Sequence, residues 1–246
     1  MRIVYSSQEH RAERQEQAMI KENSNYSALQ EEWHSLLKTG AETIKVTLSE
    51  EQIRQFALYW RELQEWNSQV NITAISSLKD TIIKHFLDSL SVIESLPWSG
   101  RLADIGSGGG FPGIPIAIVQ PALKVVLVEA ARKKANFLRQ VVRALGLKTA
   151  EVYHGRAEAL TAGEPFDCIV SRAFSSIKTF LRISLPLLAD DGIIIAMKGK
   201  ETEQELREAG QEIEKAQLRI TGERRFQLPF HGGARTVIVF KKKCFT

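Results

Sequence analysis

The stretch that most constrains this chain runs from Leu102 to Gly113, LADIGSGGGFPG. An apolar run, Leu102-Ala103-Asp104-Ile105, stops at a cluster of glycines, and Phe111-Pro112-Gly113-Ile114-Pro115-Ile116-Ala117 reads as the start of a helix. A strand passing through a glycine-rich turn into a helix N-terminus builds a nucleotide-type site. Backbone without a Cβ comes close to a ligand there and can take positive φ. The spacing argues against the dinucleotide fingerprint. G-x-G-x-x-G begun at Gly106 needs its third glycine where Phe111 stands. What stands instead is Asp104-x-Gly106-x-Gly108-x-Gly110.

That acidic-then-G-x-G-x-G pattern is similar to the motif of S-adenosylmethionine (SAM) methyltransferases, whose ligand has no pyrophosphate to cradle. A merely structural βα turn is its alternative. Glu129 ends the next apolar run, 23 residues after Gly106. In a mononucleotide-binding half-fold this is where a carboxylate accepts from both ribose hydroxyls. After the third strand come Ala157, with an N–H for a ring nitrogen, and Glu158, placed for the adenine amine or simply favoured at a helix start.

The flanking sequence reads as alternating strands and helices. Strands are expected at Leu102–Ile105, Val125–Val128, Glu151–His154, Phe166–Val170 and Ile193–Met197. Helices are expected at Pro112–Val119, Arg132–Leu145, Ile177–Leu188 and Glu201–Leu218. Two late β runs, Arg219–Leu228 and Thr236–Phe240, flank Pro229-Phe230-His231-Gly232-Gly233 as a hairpin. The fold class is therefore α/β, a doubly wound, mostly parallel sheet of Rossmann-like type closed by a C-terminal β-hairpin. This domain is expected over residues 99–246.

Residues 28–98 read as an N-terminal helical cap. Leu29, Trp33, Leu36 and Leu37 share a helix face that Gly40 is placed to end. Ser49-Glu50-Glu51-Gln52 is a capping box for a helix carrying Ile53, Phe56, Ala57, Trp60 and Leu63. A third helix is expected over about Lys79–Glu94. Residues 1–27 read as a polar, mobile extension, with no apolar stretch of signal-peptide type and too many glutamates for a transit peptide. No run reaches the ~18 apolar residues of a membrane span. Two distant cysteines, Cys168 and Cys244, suggest neither a disulfide framework nor a metal site. A cytoplasmic protein is expected.

Charge is uneven. Seven bases stand against one acid, Glu129, from Lys124 to Lys148, and six bases against none from Arg224 to Thr246. Two basic regions bracketing a nucleotide-type site suit a polyanionic partner such as RNA, and Arg132, Lys133, Lys198, Lys200 and Arg225 are the candidate phosphate contacts. Solvated surface charge is the alternative for any one of them. Ser171-Arg172-Ala173-Phe174 ends the fourth strand, where methyltransferases of this architecture face the transferable methyl. It lacks the [Asn/Asp]-Pro-Pro-[Tyr/Phe] run that amino-methylating enzymes use, and Cys168 reads as core rather than as a nucleophile. The remaining chemistry is attack by an atom with a free lone pair, such as guanine N7. That atom needs placement and no obligatory acid–base residue, so no catalytic residue is assigned. Arg172 is the candidate for positioning guanine or the SAM carboxylate, with a structural ion pair as the alternative. His85 and Asp88, one helix turn apart, are expected to hydrogen-bond each other.

The chain resembles the RsmG (GidB) family of bacterial 16S ribosomal RNA methyltransferases. The matching pieces are Trp66-Asn67-x-x-Val70-Asn71-Ile72-Thr73, His85-Phe86-Leu87-Asp88-Ser89-Leu90 and Asp104-Ile105-Gly106-x-Gly108-x-Gly110-Phe111-Pro112-Gly113-Ile114-Pro115, followed by Phe137-Leu138, Phe166-Asp167, Ser171-Arg172-Ala173-Phe174 and Lys198-Gly199. The resemblance covers about Ser49 to Phe240. It implies methylation of a guanine N7, SAM as cofactor, and 16S rRNA or the small ribosomal subunit as partner. It also implies SAM contacts at Gly106, Phe111, Ala157, Glu158 and Arg172, with Glu129-Ala130-Ala131 along the ribose and Gly108 in the same loop. The extension before about Ala28 departs from the family pattern, leaving an added RNA-binding arm or a start at Met19. A non-catalytic RNA-binding assembly factor on the same fold, and a nucleotide-dependent oxidoreductase, are the competing functions.

Overall fold

The computed structural model describes residues 31–160, 163–172, 176–199 and 202–243. Expectations for residues 1–27, Leu29, Ala173, Phe174, Lys200, Glu201 and Cys244 fall outside them. The first helix, α1 (residues 31–43), turns Trp33 and Leu37 inward. Gly40 does not end it, contrary to expectation. A Cβ at Gly40 would lie 2.3 Å from Leu87 Cδ1, so the glycine permits close helix packing, and Lys45 makes the left-handed turn at φ 61°.

Helix α2 (Glu50–Asn67) starts at the expected capping box. Ser49 Oγ accepts from the Gln52 N–H, and Gln52 Oε1 accepts from the Ser49 N–H. Ser49→Ala is expected to lower unfolding free energy by about 1 kcal/mol, read as a lower urea midpoint at unchanged m-value. No shift in the midpoint would mean that the box is redundant. The third helix is less regular than its periodicity suggests. Helix α3 (Leu78–Thr81) widens into a π-helical stretch, Ile82–Leu87, before a last turn, α4 (Asp88–Leu90). π-helical turns leave the ordinary hydrogen-bond ladder and often mark functional positions.

Seven strands form one sheet in the order β3-β2-β1-β4-β5-β7-β6. The five parallel strands are β1 (Gly100–Ile105), β2 (Leu123–Glu129), β3 (Ala150–His154), β4 (Phe166–Arg172) and β5 (Leu188–Lys198). The hairpin strands β6 (Leu218–Gln227) and β7 (Ala234–Lys242) pair antiparallel, and β7 docks antiparallel on β5. Helices α5 (Gly113–Val119), α6 (Arg132–Ala144), α7 (Ile177–Ser184) and α8 (Thr202–Lys215) make the crossovers. Strand β5 starts five residues earlier than expected, because Asp190-Asp191-Gly192 looks like a turn yet Leu188 already pairs with Phe166 across a bulge.

Successive β1 side chains serve opposite faces, Leu102 in one core cluster and Ala103 in the other. The first cluster runs from Trp33, Phe56 and Phe86 through Phe111 to Leu127 and Val141, so the helical front shares its core with the sheet. Gln52 Nε2 donates to Ile118 O and Gln55 Nε2 to Leu145 O, tying α2 to the same layer. From β1 the chain crosses to β2 on one side, and β4 lies on the other. The loops after β1 and β4 therefore part, opening a crevice at the carboxyl ends of these strands.

Candidate active site

The glycine loop lies across this crevice. Its N–H groups at Gly106 and Ser107 donate to Val128 O at 2.9 and 3.1 Å, pinning it to β2. Gly110 sits at φ +93°, and a Cβ there would lie 2.5 Å from Ile114 Cδ1 and 2.6 Å from Tyr59 Oη, so no other residue fits. Tyr59, fully buried on α2, donates its hydroxyl to Gly109 O. Sequence reasoning passed over this residue, although its position three after Phe56 and four before Leu63 put it on the buried face. A buried tyrosine hydroxyl requires a partner.

Glu129 ends β2 as expected and faces the loop. Oε2 accepts from the Gly108 N–H at 2.8 Å and Oε1 from the Ala131 N–H at 2.7 Å. Each oxygen keeps a lone pair, so the carboxylate fixes the loop and remains an acceptor. Beside it, Ile105, Gly106, Val128, Ala130, Ala157 and Glu158 line a cavity of about 240 Å³. Ala157 is buried and Glu158 exposed at its rim, both on the short helix Ala157–Ala159. Phe111 is only 4 % exposed and turns its ring inward, onto His85 at 4.3 Å and Tyr59 at 5.4 Å. The expected contact at Phe111 is thus open to its backbone rather than its ring.

Asp104 lies beneath the loop. Oδ2 accepts from the Gly113 N–H at 2.9 Å, whereas the buried Oδ1 has no partner. A buried, unpaired carboxylate oxygen is costly unless a cationic or donor group completes it. Close-approach glycines, an acceptor at the ribose position and a cavity beside them fit SAM.

Arg172, at the end of β4, is held from three sides. It donates from Nη1 to Lys84 O at 2.7 Å and to Asp88 Oδ2 at 3.3 Å, and from Nη2 to His85 Nδ1 at 3.0 Å. Its guanidinium carbon also lies 5.0 Å from the Phe111 ring centroid. A guanidinium only donates, so His85 Nδ1 accepts and the ring proton sits on Nε2, which donates to Thr73 Oγ1 at 2.8 Å. Asp88 Oδ1 receives Arg235 Nε from β7 at 3.0 Å. The expected His85–Asp88 hydrogen bond does not form, because both side chains are drawn to arginines. Arg235 was missed, since nothing near it in sequence signals a partner 147 residues away.

These groups line a second cavity of about 410 Å³, together with Ile75, Met197, Lys198, Gly199 and Glu205. Lys198 is placed otherwise than expected. It is 8 % exposed and pairs with Glu205 at 2.7 Å, because its strand position points it under α8 rather than into solvent. Arg225 pairs with Glu203 at 2.6 Å and Glu223 at 2.7 Å, so it too is engaged within the protein. Arg132 and Lys133 are exposed at the start of α6. Burial pushes the Cys168 thiol up, in keeping with a core residue.

Burial raises the Asp104 carboxyl to about 7 from 3.8, and burial with the nearby Arg172 charge lowers the His85 imidazole to about 3 from 6.5. From about pH 4 to 6.5 the unfolded chain holds a proton on His85 that the folded chain lacks, which makes stability rise with pH. Folded Asp104 holds a proton that the unfolded chain has lost, which makes stability fall over the same window. The two contributions oppose each other. Asp104→Asn is expected to make the stability slope more positive than the parent's, and His85→Gln more negative, each by up to about 1.4 kcal/mol per pH unit. Urea midpoints across the window measure this; an Asp104→Asn slope that is not more positive contradicts the first assignment, and a His85→Gln slope that is not more negative contradicts the second.

Sheet order, loop and crevice define a SAM-dependent methyltransferase. The chain matches the family model GidB, rRNA small subunit methyltransferase G, over residues 52–227, and belongs to that family. It is 43 % identical over 218 residues to a ribosomal RNA small subunit methyltransferase G of Geobacter metallireducens, covering 87 % of this chain and 99 % of that one. A protein of the same name from Syntrophus aciditrophicus is 40 % identical over 230 residues, covering 89 % and 95 %. Among solved structures, a putative O-methyltransferase from Klebsiella pneumoniae is similar in fold, with a TM-score of 0.55 at 16 % identity over 88 % of this chain and all of that one.

Proposed function

We propose that this protein methylates N7 of a guanine in 16S ribosomal RNA, with the glycine loop, Glu129, Ala157 and Glu158 holding SAM and Asp104 supporting the loop from beneath. When bound, SAM supplies an electrophilic methyl group on a sulfonium, and guanine N7 accepts it with its own lone pair. The observation that carries the reading is the state of the titratable groups around the 410 Å³ cavity. Asp88 faces two arginines, Glu205 faces Lys198, and His85 turns its unprotonated nitrogen onto Arg172. A site whose acids already face cations and whose imidazole is turned onto an arginine suits an acceptor that has no proton to lose. The chain's residues then bind, orient and exclude water. Phe111 and the π-helical turn hold Arg172 on the wall of this cavity, while the loop would fix the cofactor.

RNA as substrate is supported by the family and by surface charge. Arg132, Lys133, Arg139 and Arg143 are exposed along α6, and exposed Lys124 and Lys148 lie near each other past its C-terminus, where the Val125 N–H donates to Thr149 O. No helix among the described residues is long and apolar enough to cross a membrane. The test is transfer of label from methyl-labelled SAM to small ribosomal subunits or to protein-free 16S rRNA. Labelled 16S rRNA from either substrate supports the reading. SAM binding with no transfer to either would favour a non-catalytic assembly role.

A further inference from the structure

Two carboxylates stand on the wall of the 410 Å³ cavity, Asp88 and Glu205. Asp88 is 3 % exposed and gives each oxygen to an arginine. Glu205 differs. It projects from the first turn of α8 with its side chain 22 % exposed, and its partners among the described residues both meet Oε2: Lys198 Nζ at 2.7 Å and the Ile177 N–H at 2.9 Å. Oε1 is left as an acceptor on the cavity wall.

We propose that Glu205 selects guanine, its carboxylate accepting from N1–H and the N2 amino group of the base in this cavity. The inference rests on the proposed reading of the cavity as the guanine site. Guanine carries N7 and O6 along one edge and its N1–H and N2 donors along the opposite one. A base that turns N7 toward the glycine loop and β4 turns the donor edge toward β5 and α8, where Glu205 stands. Adenine there would set the N1 lone pair against the carboxylate and offer no N2 donor, and an unpaired buried acceptor rejects a substrate strongly. N7-methylated guanine carries a positive charge, which a carboxylate on the donor edge favours further.

The test uses 16S rRNA joined by splinted ligation, assembled into small subunits, with guanosine or inosine at the position the parent protein methylates. Inosine keeps N1–H and N7 but lacks the N2 amino group. The parent protein is expected to favour guanosine over inosine in kcat/KM by at least about fivefold, the discrimination of one good base contact. Glu205→Ala is expected to bring the ratio close to one, and Glu205→Gln, which keeps one acceptor, to lower it less. Glu205 also holds the N-terminus of α7, so a purely structural role would lower both rates together and leave the ratio unchanged. That result, or a parent ratio already near one, overturns the proposal while leaving the N7 reading intact. If the parent protein forms no 7-methylguanosine at any position, the underlying reading fails and the proposal falls with it.

Discussion

Asp88→Ala is expected to lower the unfolding free energy by about 3–5 kcal/mol, the loss seen when one partner of a buried ion pair is removed. The side chain of Asp88 is 4 % exposed, and those of Arg172 and Arg235 only 17 % and 24 %. Removing the carboxylate leaves two guanidinium groups facing each other without a counter-ion, one from β4 and one from β7. The π-helical turn that presents Lys84 O and His85 to Arg172 loses its anchor as well. Urea unfolding at neutral pH reads the change. Asp88→Asn, which keeps the volume and one acceptor, should lose less than the alanine variant. A change below about 1 kcal/mol for Asp88→Ala would show that solvent already screens the pair, as it does for exposed ones.

The second large effect concerns the cofactor. Glu129→Ala is expected to weaken SAM binding by about 10- to 100-fold, since a hydrogen bond to a charged group contributes about 1.5–3 kcal/mol. Two causes act together. The variant removes the acceptor at the ribose position, and it frees the Gly108 and Ala131 N–H groups that set the loop against the start of α6. Glu129→Gln retains one acceptor but presents an amide donor to one of those N–H groups, so it should fall between the two. Isothermal titration with SAM measures both variants. Parent-like affinity in Glu129→Ala would place the ribose elsewhere.

The glycine loop and Glu129 were legible in the sequence because their geometry is local. Strand, glycines and helix follow one another, and parallel β2 brings its last residue beside the loop whatever the rest of the chain does. The clasp around Arg172 was not legible. Its partners lie 84 to 88 residues away, and Asp88 reaches a further 147 residues to Arg235, separations at which no spacing rule operates. The same limit governs the C-terminal bases. Arg224, Arg225 and Lys242 look like free positive charge in sequence, yet the distant Glu94, Glu203 and Asp190 stand beside them in the fold, with Glu223, two residues from Arg225, the local exception. The α6 bases kept their exposed reading because a helix one face of which is Phe137, Leu138 and Val141 must turn its charged face outward. Gly40 shows the converse error: a glycine near a helix end suggests a stop, but here tertiary packing against Leu87 requires it.

The central claim is the reaction itself, and nucleoside mass spectrometry tests it most directly. Small ribosomal subunits free of 7-methylguanosine are incubated with the protein and SAM, and their 16S rRNA is digested beside an enzyme-free control. Appearance of 7-methylguanosine, at close to one residue per subunit at completion, is the predicted result. Accumulation of a different methylated nucleoside, with no 7-methylguanosine, would keep the fold and the cofactor but contradict the guanine N7 reaction.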